Sequence, residues 1–181
     1  MVDRVFILDR SGSMENCRSD TIGGFNAFLR EQKALGGTLS LVLFDHEYTP
    51  VYSNKAIEDV EPMTEETFVP RGSTALLDAI GKTLKAIEPG RTPIVAILTD
   101  GFENASTTYT KAHIRDLVEQ KTADGWTFLY LGANQDAFSE AGALGIAPAG
   151  TMNYNPRRTG EAFAALSQAM SSQASAKINT H

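Results

Sequence analysis

The chain alternates between short runs of consecutive apolar residues and segments in which apolar residues recur every three or four positions. Four apolar runs occupy residues 5–8, 39–44, 94–98 and 128–131. An unbroken run of this length is typical of a strand that is buried on both faces, as in parallel sheets. The segments between the runs have the spacing of amphipathic helices. This alternation predicts an α/β fold with a mostly parallel sheet and helices on both of its faces.

The helical spacing and the turn-forming dipeptides together predict where the helices lie. Three helices are expected around residues 22–29, 76–87 and 114–118, and each is followed by a typical stop signal, in turn Gly36-Gly37, Pro89-Gly90 and Asp124-Gly125. Two more helices are expected at residues 137–144 and from about Thr159 onward. Residues 55–71 are acidic and contain two prolines, so we expect a long connection there with one short helix.

Two weaker segments complete the predicted sheet. Residues 48–52 follow the second apolar run after only three residues, which is too short for a crossover, so they are expected to form an antiparallel strand. Pro50 favours a position at the edge of the sheet, because proline has no N–H to donate to a second neighbour. A weak strand or turn is expected at residues 146–147. The predicted sheet is therefore mostly parallel, with one antiparallel edge strand.

Length and charge restrict the class of protein. The 181 residues, 42% of them hydrophobic, predict one domain over residues 1–181, with a polar tail of about 172–181 expected to fray. A net charge of −6 disfavours nucleic-acid binding, which requires a basic surface. The apolar runs are far shorter than the roughly 20 residues of a membrane span, and the first residues lack the pattern of a secretory signal. Together with a single cysteine, Cys17, these features predict a cytoplasmic protein without a membrane partner.

Five oxygen-bearing side chains follow or adjoin the predicted strand ends. Asp9, Ser11 and Ser13 follow the first strand, Asp100 follows the third apolar run, and Thr74 precedes the second long helix. In a doubly wound sheet such loops meet at the carboxyl edge, where ligands bind. Two carboxylates with three hydroxyls favour a hard cation, Mg²⁺ foremost, although Mn²⁺ and Ca²⁺ accept the same oxygen ligands. This set leaves a coordination position open for an acidic side chain of a partner.

The pattern Asp9-x-Ser11-x-Ser13, then Thr74, then Asp100 in Thr-Asp-Gly resembles the metal-ion-dependent adhesion site of von Willebrand factor A (vWA) domains. The resemblance extends over most of the chain. It implies a doubly wound, Rossmann-like, mostly parallel sheet of about six strands. It also implies that Ser11 and Ser13 ligate the metal directly, that Thr74 does so directly or through water, and that Asp9 and Asp100 balance the charge.

The resemblance further implies a non-enzymatic function. We expect a stand-alone, monomeric, intracellular member of bacterial or phage type that binds a protein partner through a metal-bound carboxylate. By analogy with such members, the partner is an ATPase or a protein of a stress or phage gene cluster. Loops with Glu103 and Asn104 and with residues 134–136 are expected either to rim the site or to form ordinary turns.

Three alternatives remain open at the level of the sequence. The metal could be purely structural, with the interaction surface elsewhere, for instance on the last helix. A phosphotransferase or phosphatase of haloacid dehalogenase type also uses an aspartate after its first strand and Mg²⁺, but it needs a second carboxylate where Ser11 stands. Finally, Ser11 to Ser13 could simply cap the first helix while Asp100 and Gly101 turn the chain.

Overall fold

The computed structural model describes residues 1–179. Over these residues a central sheet is built from six strands: β1 Asp3–Asp9, β2 Thr38–Phe44, β3 Tyr48–Ala56, β4 Ile94–Thr99, β5 Thr127–Gly132 and β6 Thr151–Asn153. Five α-helices surround it: α1 Arg18–Lys33, α2 Leu76–Ala86, α3 Lys111–Ala123, α4 Ala137–Ala143 and α5 Thr159–Asn179. Short 3₁₀ helices cover Gly12–Cys17, Ile57–Asp59, Pro148–Gly150 and Pro156–Arg158.

The strand order is β3-β2-β1-β4-β5-β6, and every neighbouring pair is parallel except β2 with β3. This confirms the predicted fold class: a doubly wound, mostly parallel six-stranded sheet with one antiparallel edge strand. Strand β1 lies between β2 and β4, so successive crossovers leave it in opposite directions. The carboxyl end of β1 is therefore the switch point at which ligands bind in folds of this kind.

The core consists of two apolar layers, one on each face of the sheet. Phe6 points to the layer under α1 and α5, where its ring stacks on Phe163 with centroids 5.7 Å apart and meets Phe25 edge-on at 6.0 Å. Its neighbours Val5 and Ile7 point to the opposite layer, under α2 and α3. Because alternate residues of β1 enter two different cores, the strand is apolar at every position from Val5 to Leu8.

Residues 146–147, where a weak strand or turn was expected, do not form the sixth strand. It lies at Thr151–Asn153, where it pairs with the end of β5, and not at residues 146–147. Gly145 has a positive φ of 79°, which ends α4 and turns Ile146 back into the core, where only 3% of it is exposed. Ile146 is therefore apolar because it packs into the core at the end of a helix. The strand that follows is a short segment of mixed polarity, and its position is set by pairing with β5.

The end of the chain is helical as far as it is described. Helix α5 continues to Asn179, so residues 172–179 of the tail that was expected to fray lie in a helix, and residues 180–181 lie outside the described part. Gln32 of α1 anchors this helix, since its Nε2 donates to the Ser167 carbonyl at 3.0 Å and to Ser171 Oγ at 3.1 Å. No helix within residues 1–179 combines the length and apolarity that a membrane crossing needs.

Candidate metal centre

Three loops meet at the carboxyl end of β1 and are joined there by backbone hydrogen bonds. The Gly12 N–H donates to the Gly72 carbonyl at 3.0 Å, which ties the loop after β1 to the loop before α2. The Asn104 N–H donates to the Thr74 carbonyl at 2.9 Å, which ties the loop before α2 to the loop after β4. These bonds fix the positions of the predicted site residues on all three loops.

Asp9 is the last residue of β1 and is completely buried. Its Oδ1 accepts the backbone N–H of Ser11 at 2.6 Å, and its Oδ2 accepts the hydroxyl of Thr99 at 2.8 Å. The first bond closes the turn after β1, and the second links β1 to β4. Both carboxylate oxygens therefore hold the geometry of the loop that carries the two serines.

The two serines connect Asp9 to the second aspartate. Ser11 Oγ lies 3.2 Å from Ser13 Oγ, and Ser13 Oγ donates to Asp100 Oδ1 at 2.7 Å. Ser11 and Asp100 are buried, whereas Ser13 is exposed, so solvent reaches the group from the Ser13 side. Four of the five predicted residues thus form one hydrogen-bonded chain at the carboxyl edge.

Thr74 lies on the adjoining loop, where 5% of it is exposed. Its N–H donates to Asn104 Oδ1 at 2.8 Å, so the side chain of Asn104 fixes the backbone that carries the hydroxyl. The structure places Thr74 beside the other four residues through this loop and through the Gly12–Gly72 bond, without a direct hydrogen bond from its hydroxyl to them within residues 1–179.

The two aspartates carry negative charge that no cation of the described chain neutralises. Within residues 1–179, no Lys, Arg or His forms an ion pair with either of them. Burial, reinforced by the charge of Asp100, raises the pKa of Asp9 from 3.8 to about 6. Burial also raises the pKa of Asp100, against the opposing effect of its hydrogen bond from Ser13. A cation would remove this unfavourable charge.

This donor set fits a hard divalent cation. Two buried carboxylates and three hydroxyls offer only oxygen ligands, which suit Mg²⁺, Mn²⁺ or Ca²⁺. In the part of the chain that the structure describes, no three His, Cys, Asp or Glu side chains form a group that could hold a metal ion by themselves. A site here would therefore depend on the hydroxyls of Ser11, Ser13 and Thr74, with Asp9 and Asp100 supplying the charge.

The predicted rim residues have supporting positions. Glu103 accepts four backbone N–H groups, among them that of Leu76 at 2.6 Å and that of Ser106 at 2.5 Å, so it holds the start of α2. Asn134 and Gln135 donate to the carbonyls of residues 100 and 101 at 3.0 and 2.8 Å. Asp136 caps α4 by accepting the N–H of Ser139. Glu103, Asn134 and Gln135 thus fix the loops of the site. Asp136 instead has the ordinary turn role that was the alternative expected for these loops.

Two supporting groups were missed by the sequence analysis. Thr99 was considered only as part of Thr-Asp-Gly, yet its hydroxyl binds Asp9. On the other side of the site, buried Asp45 accepts Arg71 Nε at 2.7 Å, lies 3.4 Å from Arg10 Nε, and accepts the Ala75 N–H through its carbonyl at 2.8 Å. Nothing local in the sequence indicates these contacts, because their partners are at least 26 residues apart.

The fold of this chain is similar to that of several proteins of known structure. No protein-family model matches the chain, and no curated protein matches it. Solved structures do match. One is a von Willebrand factor type A protein from Catenulispora acidiphila, with 16% identity and a TM-score of 0.62, covering 92% of this chain and 42% of that one. Another is manganese-loaded TRAP from Plasmodium vivax, with 16% identity and a TM-score of 0.62, covering 91% of this chain and 71% of that one.

A third match is the vWF domain of the type V pili tip protein Mfa5 from Porphyromonas gingivalis, at 12% identity and TM-score 0.68, covering 94% of this chain and 95% of that one. The chain spans less than half the length of several other matched chains. Identities this low establish the fold and nothing finer. The chain has the fold of the von Willebrand factor A domains.

Proposed function

We propose that the chain is a protein-interaction module that binds a divalent cation, Mg²⁺ foremost, at Asp9, Ser11, Ser13, Thr74 and Asp100. The observation that carries this proposal is the buried pair Asp9 and Asp100, which shares a hydrogen-bonded chain with two serine hydroxyls and has no cationic partner within residues 1–179. A bound cation supplies positive charge and open coordination positions. The TRAP structure, which has the same fold and is loaded with manganese, supports the proposal that a chain of this fold binds a divalent cation.

We further propose that the cation is used to bind a carboxylate of a protein partner. Ser13 is exposed, whereas Asp9, Ser11, Thr74 and Asp100 are buried, so a ligand can approach the group from the Ser13 side. Phe102, which follows Asp100 by two residues in the chain, is 57% exposed. Glu103 and Asn104 hold its loop by hydrogen bonds, so this aromatic ring is presented on a fixed backbone. An exposed aromatic residue beside a charged anchor is typical of protein-binding surfaces.

The geometry argues against the phosphotransferase alternative. In that mechanism the aspartate after the first strand attacks phosphorus, which requires a free carboxylate oxygen that reaches the substrate. Asp9 is completely buried, and its two oxygens accept hydrogen bonds from Ser11 and Thr99. We therefore propose a non-enzymatic function. The net charge of −6 and the buried free thiol of Cys17 support a protein partner in a reducing, cytoplasmic setting.

The first test is calorimetric titration of Mg²⁺ and of Mn²⁺ into the wild type and into Ser13→Ala, with Ser19→Ala as the matched control. Ser19 is an exposed serine of α1 outside the hydrogen-bonded chain. We expect saturable binding by the wild type and by the control, and at least a tenfold weaker affinity in Ser13→Ala. Equal affinities in all three proteins, or no binding by the wild type, would contradict the proposed site.

The second test asks whether a coordination position is open. Water-proton relaxation of the Mn²⁺-loaded protein reports water molecules bound to the ion, and acetate serves as a probe for the carboxylate of a partner. We expect acetate to lower the relaxation enhancement in a saturable manner. An enhancement that acetate leaves unchanged would favour the alternative of a structural metal with the interaction surface elsewhere.

A further inference from the structure

One buried hydroxyl near the proposed metal centre has no hydrogen-bond partner within residues 1–179. Among residues 1–179, the buried side-chain polar atoms without a hydrogen bond are Arg4 Nη2, Arg10 Nε and Tyr154 Oη. Arg4 is the second residue of β1, at the opposite end of the strand from the site, and Arg10 Nε lies 3.4 Å from the Asp45 carboxylate. The Tyr154 hydroxyl remains unexplained. Phenylalanine would fill the same space without the cost of burying an unpaired hydroxyl.

The sheet register places Tyr154 level with the site. Its N–H donates to the Gly132 carbonyl at 3.0 Å, which extends the β5–β6 ladder by one residue, and Gly132 pairs with Thr99 of β4. Tyr154 therefore lies in the same row as Asp100, two strands away, or about 10 Å across the sheet.

The Tyr154 ring also lies on the same face of the sheet as the buried side of the site. Tyr154 packs against the core layer that contains Leu98 and Cys17. Asp100 follows Leu98 by two positions, so the alternation of the strand directs it to that face as well. The pKa of Tyr154 is raised, first by burial and then by electrostatic interactions with Cys17, Asp100 and Asp9. The hydroxyl thus lies within electrostatic reach of both carboxylates.

We infer that Tyr154 is a positioning residue of the metal centre, whose hydroxyl donates a hydrogen bond, directly or through a water molecule, to the Asp100 carboxylate when the site holds a cation. This inference rests on the proposed metal site. The oxygens of Asp9 are already committed to Ser11 and Thr99, and Asp100 Oδ1 accepts from Ser13. A further donor from the buried side would hold Asp100 in place without occupying the exposed side, where a partner approaches.

The test compares Tyr154→Phe with the wild type in two measurements: Mn²⁺ affinity by calorimetry, and thermal unfolding in EDTA. Tyr109→Phe is the matched control, because Tyr109 is a buried tyrosine in the opposite core layer. We expect Tyr154→Phe to weaken Mn²⁺ binding roughly tenfold, the lower end of the effect of residues that support metal ligands. Its unfolding midpoint in EDTA should equal or exceed that of the wild type, because an unpaired buried hydroxyl is removed.

The outcomes separate this inference from the proposed function. Wild-type binding with equal affinity in Tyr154→Phe overturns the inference and leaves the metal site standing. A lower midpoint in EDTA together with weaker binding also overturns it, since the hydroxyl would then stabilise the fold itself. Absence of Mn²⁺ binding by the wild type overturns the proposed site and the inference with it. Weaker binding at an undiminished midpoint, with Tyr109→Phe unaffected, supports Tyr154 as a positioning residue.

Discussion

Replacing Asp9 by asparagine should stabilise the metal-free protein at neutral pH. Burial and the charge of Asp100 raise the pKa of Asp9 from 3.8 to about 6, so the folded state disfavours the ionised carboxylate. A rise of about two pKa units corresponds to a cost of about 3 kcal/mol when the group is ionised. Asparagine carries no charge and avoids this cost. We expect the free energy of unfolding of Asp9→Asn in EDTA at pH 7 to exceed that of the wild type by up to about 3 kcal/mol.

The hydrogen bonds of Asp9 can survive the substitution. The asparagine oxygen can accept the Ser11 N–H as Oδ1 does now. Its amide can donate to the Thr99 hydroxyl, which can in turn donate to the Gly101 carbonyl, 3.3 Å away. The variant therefore changes the charge at this position with little change in packing.

The pH dependence gives the sign of the effect. Between about pH 4 and pH 6 the folded wild type binds more protons at Asp9 than the unfolded chain, because the folded pKa is the higher one. Its stability relative to Asp9→Asn therefore increases as the pH falls through 6. The difference between the two proteins should be largest at pH 7 and should approach zero near pH 4.

Urea unfolding in EDTA at several pH values, followed by the fluorescence of the single tryptophan, Trp126, measures this difference. Asp116→Asn, which changes an exposed aspartate of α3, controls for the general effect of removing a negative charge. A variant less stable than the wild type at pH 7, or a difference that is constant from pH 4 to pH 7, would refute the reasoning. Addition of Mg²⁺ should stabilise the wild type and leave Asp9→Asn unchanged.

Three further predictions concern other parts of the molecule. Burial alone would raise the pKa of Asp78, but the N–H groups of residues 107–109 donate to its carboxylate at 2.9 to 3.0 Å and make the net change in its pKa a lowering. Asp78→Asn should therefore reduce the free energy of unfolding at pH 7 by about 1–3 kcal/mol, and this loss should become smaller in acid. Gly24→Ala places a Cβ 2.5 Å from Phe163 Cδ2, so calorimetry should detect destabilisation of about 1–3 kcal/mol. Saturating Mg²⁺ should raise the unfolding midpoint of the wild type more than that of Ser13→Ala, as scanning fluorimetry can measure.

Most of the sheet could be predicted from the sequence because its strands are buried on both faces. Strands β1, β2, β4 and β5 are each an apolar run, since alternate residues enter two different cores. The edge strand β3 was predicted from the short connection after β2, which leaves room only for an antiparallel return. The five candidate site residues were selected by the same reasoning, because the carboxyl ends of neighbouring parallel strands must meet at one edge.

The sequence did not predict features whose cause lies in distant residues. Strand β6 has three residues of mixed polarity, and its position depends on pairing with β5 rather than on a local pattern. Glu103 was expected at the rim of the site or in an ordinary turn, but its carboxylate accepts the N–H of Leu76 at the start of α2. Tyr154 reaches the level of Asp100 only because β6 extends the sheet two strands beyond β4.

The sequence by itself thus determined most of the elements, their order and the residue types at the strand ends, because periodicity and residue type act over a few positions. The tertiary structure decided the hydrogen-bond partner of each carboxylate, the burial of Asp9 and the raised pKa that follows from it. These properties depend on how residues far apart in the chain exclude water from the same small volume. Burial and electrostatic interaction arise only when the sheet, its helices and its loops have been assembled.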